Sequence, residues 1–246
     1  ETENWFVFSV QELIAEFDKQ FYSDGTNFEA STNYHRLSGE FMVYGVSLIL
    51  GLSDQKKSIL SKYEPSKWKY KPKLKKPSEQ EWDLGNNQFF PQWFVDRLFK
   101  AGLFTLHLTK PDDNVPQIGD NDSGRLFKLT PIGEFLSNND AEKKYINLRG
   151  YKEYLSKNDN DLYIDKYWDE NVLNHAPFIS SVNGLFQFNE FENISPYCFL
   201  EKSFVESLSN ESFLIASHIN FQNKDEKPKI IFDESQLKYK NEKIIK

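Results

Sequence analysis

The sequence predicts a mainly α-helical chain built of helical hairpins, with β-rich character only at its C-terminal end. Three observations carry that reading. Val10, Leu13, Ile14, Phe17 and Phe21 fall on one helical stripe. A polar turn, Asp24-Gly25, stops that stripe and leads into a second run that is almost wholly apolar after Glu40. From Ser212 onward Phe213, Ile215, Ile219 and Phe221 alternate instead, as in a strand.

Each element follows from local signals. Ser9 is placed to cap the first helix, with Glu12 completing a capping box. The second helix is predicted over residues 31–52, with Phe41, Tyr44, Leu48 and Ile49 on one side. Helix, short polar turn, helix is an αα-hairpin. A third helix is expected over 53–63, followed by a long Pro- and Lys-rich loop over 64–87. Residues 90–101 read as helix, with Pro91 in its first turn. Leu103–Leu108 is an apolar run containing His107, and residues 112–124 are irregular. Thr130-Pro131-Ile132-Gly133 reads as a turn, and 143–156, 162–171 and 204–208 as weaker helical patches. Two parts are therefore expected: 1–210 helical, and 211–246 as a β-rich tail, the possible start of a β-sandwich.

Composition narrows the function. Hydrophobic residues are 39% of the 246, but 16% are aromatic, with 5 Trp, 12 Tyr and 22 Phe. Each ring buries roughly 150–250 Å², so the core is expected to be aromatic-rich. Rings beside polar groups also suit carbohydrate, whose C–H faces stack while its hydroxyls hydrogen-bond. The plainer alternative is that the rings only fill space. Net charge is −7, which argues against broad nucleic-acid binding. The basic run KWKYKPKLKK, Lys67 to Lys76, is a solvated loop or a rim facing a polyanion. With Cys198 alone, neither a disulfide nor a paired-cysteine zinc motif can form. The apolar run Phe41–Leu50 is too short to span a bilayer. No phosphate-binding, dinucleotide-binding, nucleophile-elbow or HExxH motif is present, and no cofactor or metal is called for.

Two polar loops hold the candidate chemistry. The first is DGTNFEASTNYHR, Asp24 to Arg36. If its helix begins near Ser31, Tyr34 and His35 lie on the first turn, where free N–H groups favour anions. A positive field from Arg36 and the helix end would ease proton exchange by Tyr34. The alternative is that Tyr34 packs and His35 serves a backbone carbonyl. The second loop is GDNDSGR, Gly119 to Arg125. It fails as an EF-hand, because its sixth position is Arg125 and its twelfth Pro131. It is either an Asx-turn loop, or a ligand loop in which Asp120 and Asp122 orient Arg125 to grip a carboxylate or sulfate. Asn174-His175 offers a carboxamide and an imidazole, or simply a helix cap. His107 and His218 read as structural.

The DGTNFEASTNYHR run followed by an apolar helix, and the later IGDNDSGRLFKL run, resemble the heparinase II/III-like polysaccharide lyases. The resemblance extends loosely over 5–188, and points to the branch associated with bacterial surface-polysaccharide gene clusters. It implies an incomplete (α/α) toroid followed by an antiparallel β-sandwich, acting on uronate-containing polysaccharide by β-elimination without a cofactor. In such enzymes an Asn or His neutralises the uronate carboxylate, a Tyr or His takes the C5 proton, and a Tyr protonates the departing O4. The resemblance places Tyr34 on the motif tyrosine and Glu29 on the motif acid. Tyr34 and His35 are then the catalytic candidates. Glu29, Arg36, Asp120, Asn121, Asp122, Arg125, Asn174 and His175 are the substrate-binding ones. The implied partners are an acidic polysaccharide and the remainder of a parent polypeptide, with no nucleic acid and no membrane span. The family's Asn-His segment should precede the Asp-Gly turn by a helical hairpin, whereas Asn174-His175 follows it. The chain therefore reads as a middle piece of a longer enzyme or a degenerate relative, and no turnover is expected from it alone. Two other functions fit the same residues. One is a carbohydrate-binding module without catalysis. The other is a helical interaction scaffold, in which the two loops would lie far apart.

Overall fold

The protein is described here by a computed structural model over residues 2–82, 89–121, 124–148, 150, 166–192 and 198–217. Among these residues it is mainly helical, as the sequence predicts. The helices are α1 (Thr2–Gln20), α2 (Thr32–Leu50), α3 (Asp54–Lys57), α4 (Ile59–Lys62), α5 (Gln92–Leu108), α6 (Asn138–Tyr145), α7 (Ala176–Phe186), α8 (Asn189–Glu192) and α9 (Phe199–Leu208). Two strands, β1 (Gly133–Ser137) and β2 (Lys166–Glu170), pair antiparallel, with Phe135 opposite Trp168.

The core is organised around α7, every residue of which is buried. It packs against α9, α5 and α2. Phe178, Ile179, Val182 and Leu185 meet Phe94 and Leu98 of α5 and Val43 and Val46 of α2 in one apolar cluster. The expected aromatic core is present: Phe17 lies 4.4 Å from Phe94, and Phe99 sits between Phe186, Phe188 and Phe191. α1 adds Val7, Val10, Ile14 and Phe17 and pairs with α2 as the hairpin.

Several boundaries differ from the sequence reading. α1 starts at Thr2, so Ser9 is mid-helix and not a cap; its hydroxyl donates to Trp5 O at 2.9 Å. Val7 before it extends the buried stripe, with Phe6 and Phe8 packed against the core, and these carry the helix past that signal. The third helix breaks at Ser58 into α3 and α4. α5 runs through both the predicted helix and the apolar run containing His107. Residues 166–170, read as helical, form β2. Cross-strand packing of Trp168 on Phe135, rings 5.0 Å apart, outweighs weak helical propensity there. Gly133, read as a turn, begins β1. α6 precedes most of the patch placed at 143–156 and is capped by Ser137, whose hydroxyl accepts from Asp140 N at 3.1 Å. α7 was not expected: its apolar residues show no stripe because no side of it meets water. In the tail, residues 212–217 form no strand. The rest of the expected β region, with His218, lies outside the described residues.

Candidate functional site

The site begins at the turn between α1 and α2. Asp24 Oδ1 accepts from Thr26 N at 3.0 Å and from its hydroxyl at 2.7 Å. Gly25 has φ +87°, and a Cβ there would stand 2.4 Å from the backbone carbon of Lys100. Glycine is thus required both by conformation and by the closeness of α5. Asn27 Oδ1 holds Glu29 N at 3.0 Å. Ser31 then caps α2, its hydroxyl accepting from Tyr34 N at 3.1 Å.

The second polar loop lies directly on this cap. Ser31 Oγ donates to Asp120 O at 2.8 Å, Thr32 N to Ile118 O at 3.0 Å, and Thr32 Oγ1 to Pro116 O at 3.1 Å. Asn33 donates to Asn121 Oδ1, and its own Oδ1 lies 3.0 Å from His175 Nε2. Arg36 reaches Val172 O at 3.1 Å and Gly124 O at 3.2 Å. Three segments far apart in sequence thus converge on the first turns of α2.

Gly119 is the contact point of the two loops. It has φ +68°, and a Cβ would come within 2.8 Å of Ala30 O and 3.0 Å of Ser31 Cα. Gly119→Ala is expected to cost at least about 1–2 kcal/mol from the left-handed backbone alone, and to push the loops apart. Thermal unfolding measures the first effect. Faster hydrogen exchange at the Thr32 amide, bonded to Ile118 O, measures the second.

The sequence-predicted residues divide by exposure. Glu29, Asp120 and Asn121 are exposed, and Tyr34 and Asn174 are half-buried. Asn174 Oδ1 caps the next segment, accepting from Ala176 N at 3.0 Å. His35, Arg36 and His175 are buried. His35 Nε2 lies 3.1 Å from Ala101 O, within an aromatic surround of Phe21, Phe104 and Phe178. The Arg125 side chain is buried too: Nη2 meets Glu201 Oε1 at 3.0 Å and Nη1 donates to Thr130 O at 3.0 Å. Its guanidinium is therefore paired internally, and is not presented to a ligand. Asp122 lies outside the described residues. Among the described residues no group of three or more His, Cys, Asp or Glu could hold a metal ion, and no helix is long and apolar enough to cross a membrane.

Sequence reasoning missed Asn33, Glu40, Glu201 and Thr130. Asn33 sits inside the quoted run with nothing to distinguish it from its polar neighbours. Glu40 carried a usable signal, since a lone acid in an apolar helix must be paired when buried. Its Oε2 accepts from Leu126 N at 2.6 Å. Glu201 gave none: its partners Arg125 and Thr130 stand 76 and 71 residues away.

Burial sets the electrostatics. It drives the His35 imidazole down to about 4, against the Ala101 carbonyl, which favours the charged ring. It drives His175 down to about 2, and the nearby Arg36 charge adds to this. Burial drives Glu40 up to about 7, against the Leu126 amide and the charges of Arg36 and Arg125. The folded value of Glu40 exceeds its ordinary 4.5, so its contribution to stability is complete below about 4.5 and is lost as pH rises through about 7. His35 acts oppositely: its contribution is complete above 6.5 and is lost as pH falls toward about 4. Glu40→Gln keeps an acceptor for Leu126 N and is expected to abolish the loss on the alkaline side. Urea denaturation across neutral pH checks this: the wild type should weaken with rising pH, and the variant should not.

Residues 1–66 match the family described as Heparinase II/III N-terminus. The N-terminal region is heparinase II/III-like. The match takes in α1, the Asp-Gly turn, the capped start of α2 with Tyr34, and α3 and α4; residues 67–246 lie beyond it. No curated protein and no solved structure matches the chain.

Proposed function

We propose that this heparinase II/III-like chain is part of a polysaccharide lyase that cleaves uronate-containing polymers by β-elimination, its helices contributing to an incomplete (α/α) toroid. One observation carries the reading. The two polar loops close on the start of α2 so that Asn33, His35 and Arg36 are buried while Tyr34 between them stays half-exposed. The buried neighbours fix the turn, and Tyr34 stays half-exposed in the same stretch of chain as the exposed Glu29, while the second loop brings the exposed Asp120 and Asn121 onto Ser31 and Asn33. In the elimination the C5–H bond breaks and its proton passes to a base. The electron pair forms the C4–C5 double bond, the C4–O bond breaks, and O4 takes up a proton. Tyr34 is assigned to proton transfer in this sequence, as base or as acid, with Glu29, Asp120, Asn121 and Asn174 bonding sugar hydroxyls.

The test is direct. A conjugated unsaturated uronate absorbs in the ultraviolet, so the complete gene product is incubated with uronate polymers and product absorbance is followed. Growth of absorbance on a uronate polymer, and none on a neutral glucan, is expected; no growth on any uronate polymer would end the proposal. A second reading, a carbohydrate-binding module without catalysis, is favoured by the burial of His35 and His175, which leaves Tyr34 as the accessible proton carrier among the described candidates. It predicts saturable polymer binding with no absorbance change.

A further inference from the structure

The basic run Lys67 to Lys76 is not a loose loop. Trp68 and Leu74 are buried, Trp68 Nε1 donates to Pro72 O at 2.9 Å, and Tyr63 donates to Lys75 O. Gln11 of α1 clamps it on both sides: Nε2 donates to Lys73 O at 3.0 Å, and Oε1 accepts from Lys75 N at 2.9 Å. Anchored in this way, Lys67, Lys69, Lys71, Lys73, Lys75 and Lys76 are all exposed, and none makes an ion pair among the described residues.

An aromatic platform stands among them. Trp5 packs edge-on against Trp68 at 4.7 Å and lies 5.4 Å from Tyr70, while Phe8 stacks beneath Trp68 at 4.9 Å. Trp5 remains 48% exposed and Tyr70 59% exposed. A groove of about 490 Å³ opens at the same end of α1, between Glu3 and the Gln55, Lys56, Lys62 and Tyr63 side chains. Trp5 and Gln20 are 15 residues apart on α1. At about 1.5 Å per residue this places the platform roughly 22 Å from the Asp-Gly turn, so it is separate from the Tyr34 site.

We propose that this surface is a second binding site for an acidic polysaccharide, in which Trp5 and Tyr70 stack on sugar faces and Lys69, Lys71 and Lys73 meet the carboxylates. Exposed rings held rigid by a buried Trp supply stacking area at little entropic cost. Lysine ammonium groups are point charges without the fixed fork of arginine, which suits a flexible polymer bound in many registers better than one phosphate bound in one geometry. A cationic strip on a chain of net charge −7 is a local field that draws a polyanion to this face. The choice of a uronate polymer over other polyanions rests on the proposed function, since Trp5 and Phe8 lie in the heparinase II/III-like region.

The test uses the whole chain and titrates alginate fragments, dextran, duplex DNA and phosphatidylserine vesicles by calorimetry. The wild type is expected to bind alginate and not dextran. Charge reversal at Lys69, Lys71 and Lys73 to Glu should weaken alginate binding about tenfold or more at low salt, with the effect shrinking as salt rises. Tyr70→Ala should weaken it several-fold at every salt concentration. Circular dichroism verifies that these exposed substitutions leave the fold intact. No alginate binding by the wild type, or unchanged binding by both variants, overturns the proposal. Tighter binding of DNA or vesicles than of alginate overturns it as well, and assigns the surface to those partners. Failure of the lyase assay with alginate binding retained by Tyr34→Phe and lost by charge reversal removes the catalytic reading alone. Lyase activity with unchanged binding by the surface variants removes the second site alone.

Discussion

Glu201→Ala is expected to lower stability by about 3–5 kcal/mol, the range for removing one partner of a buried charge pair. Glu201 and the Arg125 side chain are 1% and 3% exposed. Glu201 Oε1 takes Arg125 Nη2 at 3.0 Å and Thr130 N at 2.8 Å, and its Oε2 takes the Thr130 hydroxyl at 2.6 Å. Alanine leaves a guanidinium and two Thr130 donors buried without their acceptor, and opens a void in α9. The loss should depend on pH. Glu40 feels both Arg125 and Glu201, and is held mostly protonated below about 7. With Glu201 gone, Glu40 ionises more readily and partly neutralises Arg125. The penalty is therefore expected to be larger in mild acid than in mild alkali. Urea unfolding on both sides of neutrality reads this, and a loss under about 1 kcal/mol at both would show that the buried pair contributes little to stability. Glu201→Gln, which retains an acceptor oxygen, should lose less.

Tyr34→Phe is expected to reduce the rate of elimination by about 10²–10⁴-fold, the range for loss of a positioned proton-transfer group. The backbone should not notice the change. Tyr34 joins the cap of α2 through its N–H, bonded to Ser31 Oγ at 3.1 Å, and phenylalanine retains that bond. The expected signature is a fall in kcat with KM and Tm nearly unchanged. Full activity in the variant removes the phenol from the mechanism. A large fall in Tm instead would make Tyr34 a packing residue.

Local signals carried much of the fold. The stripe of α1, the Asp-Gly stop, the Ser31 cap and the apolar α2 are short-range features, and each is legible in a window of a few turns. The aromatic core followed from composition. Misreadings came where partners are distant. Ser9 looks like a cap until Val7, with Phe6 and Phe8 beside it, finds a core to pack against. Residues 166–170 become a strand because β1 lies beside them. α7 has no polar face to announce it.

The candidate site divides in the same way. The sequence determined the chemistry available at the start of α2: a capped turn, a tyrosine, a histidine and an arginine in succession, and a second polar loop of similar character. Only the tertiary structure decided which of these face solvent. His35, Arg36, Arg125 and His175 are drawn inside because carbonyls and carboxylates from segments remote in sequence are there to receive them. Charge and hydrogen-bonding capacity are properties of a residue. Burial is a property of its neighbours, and those are assigned by the folded chain.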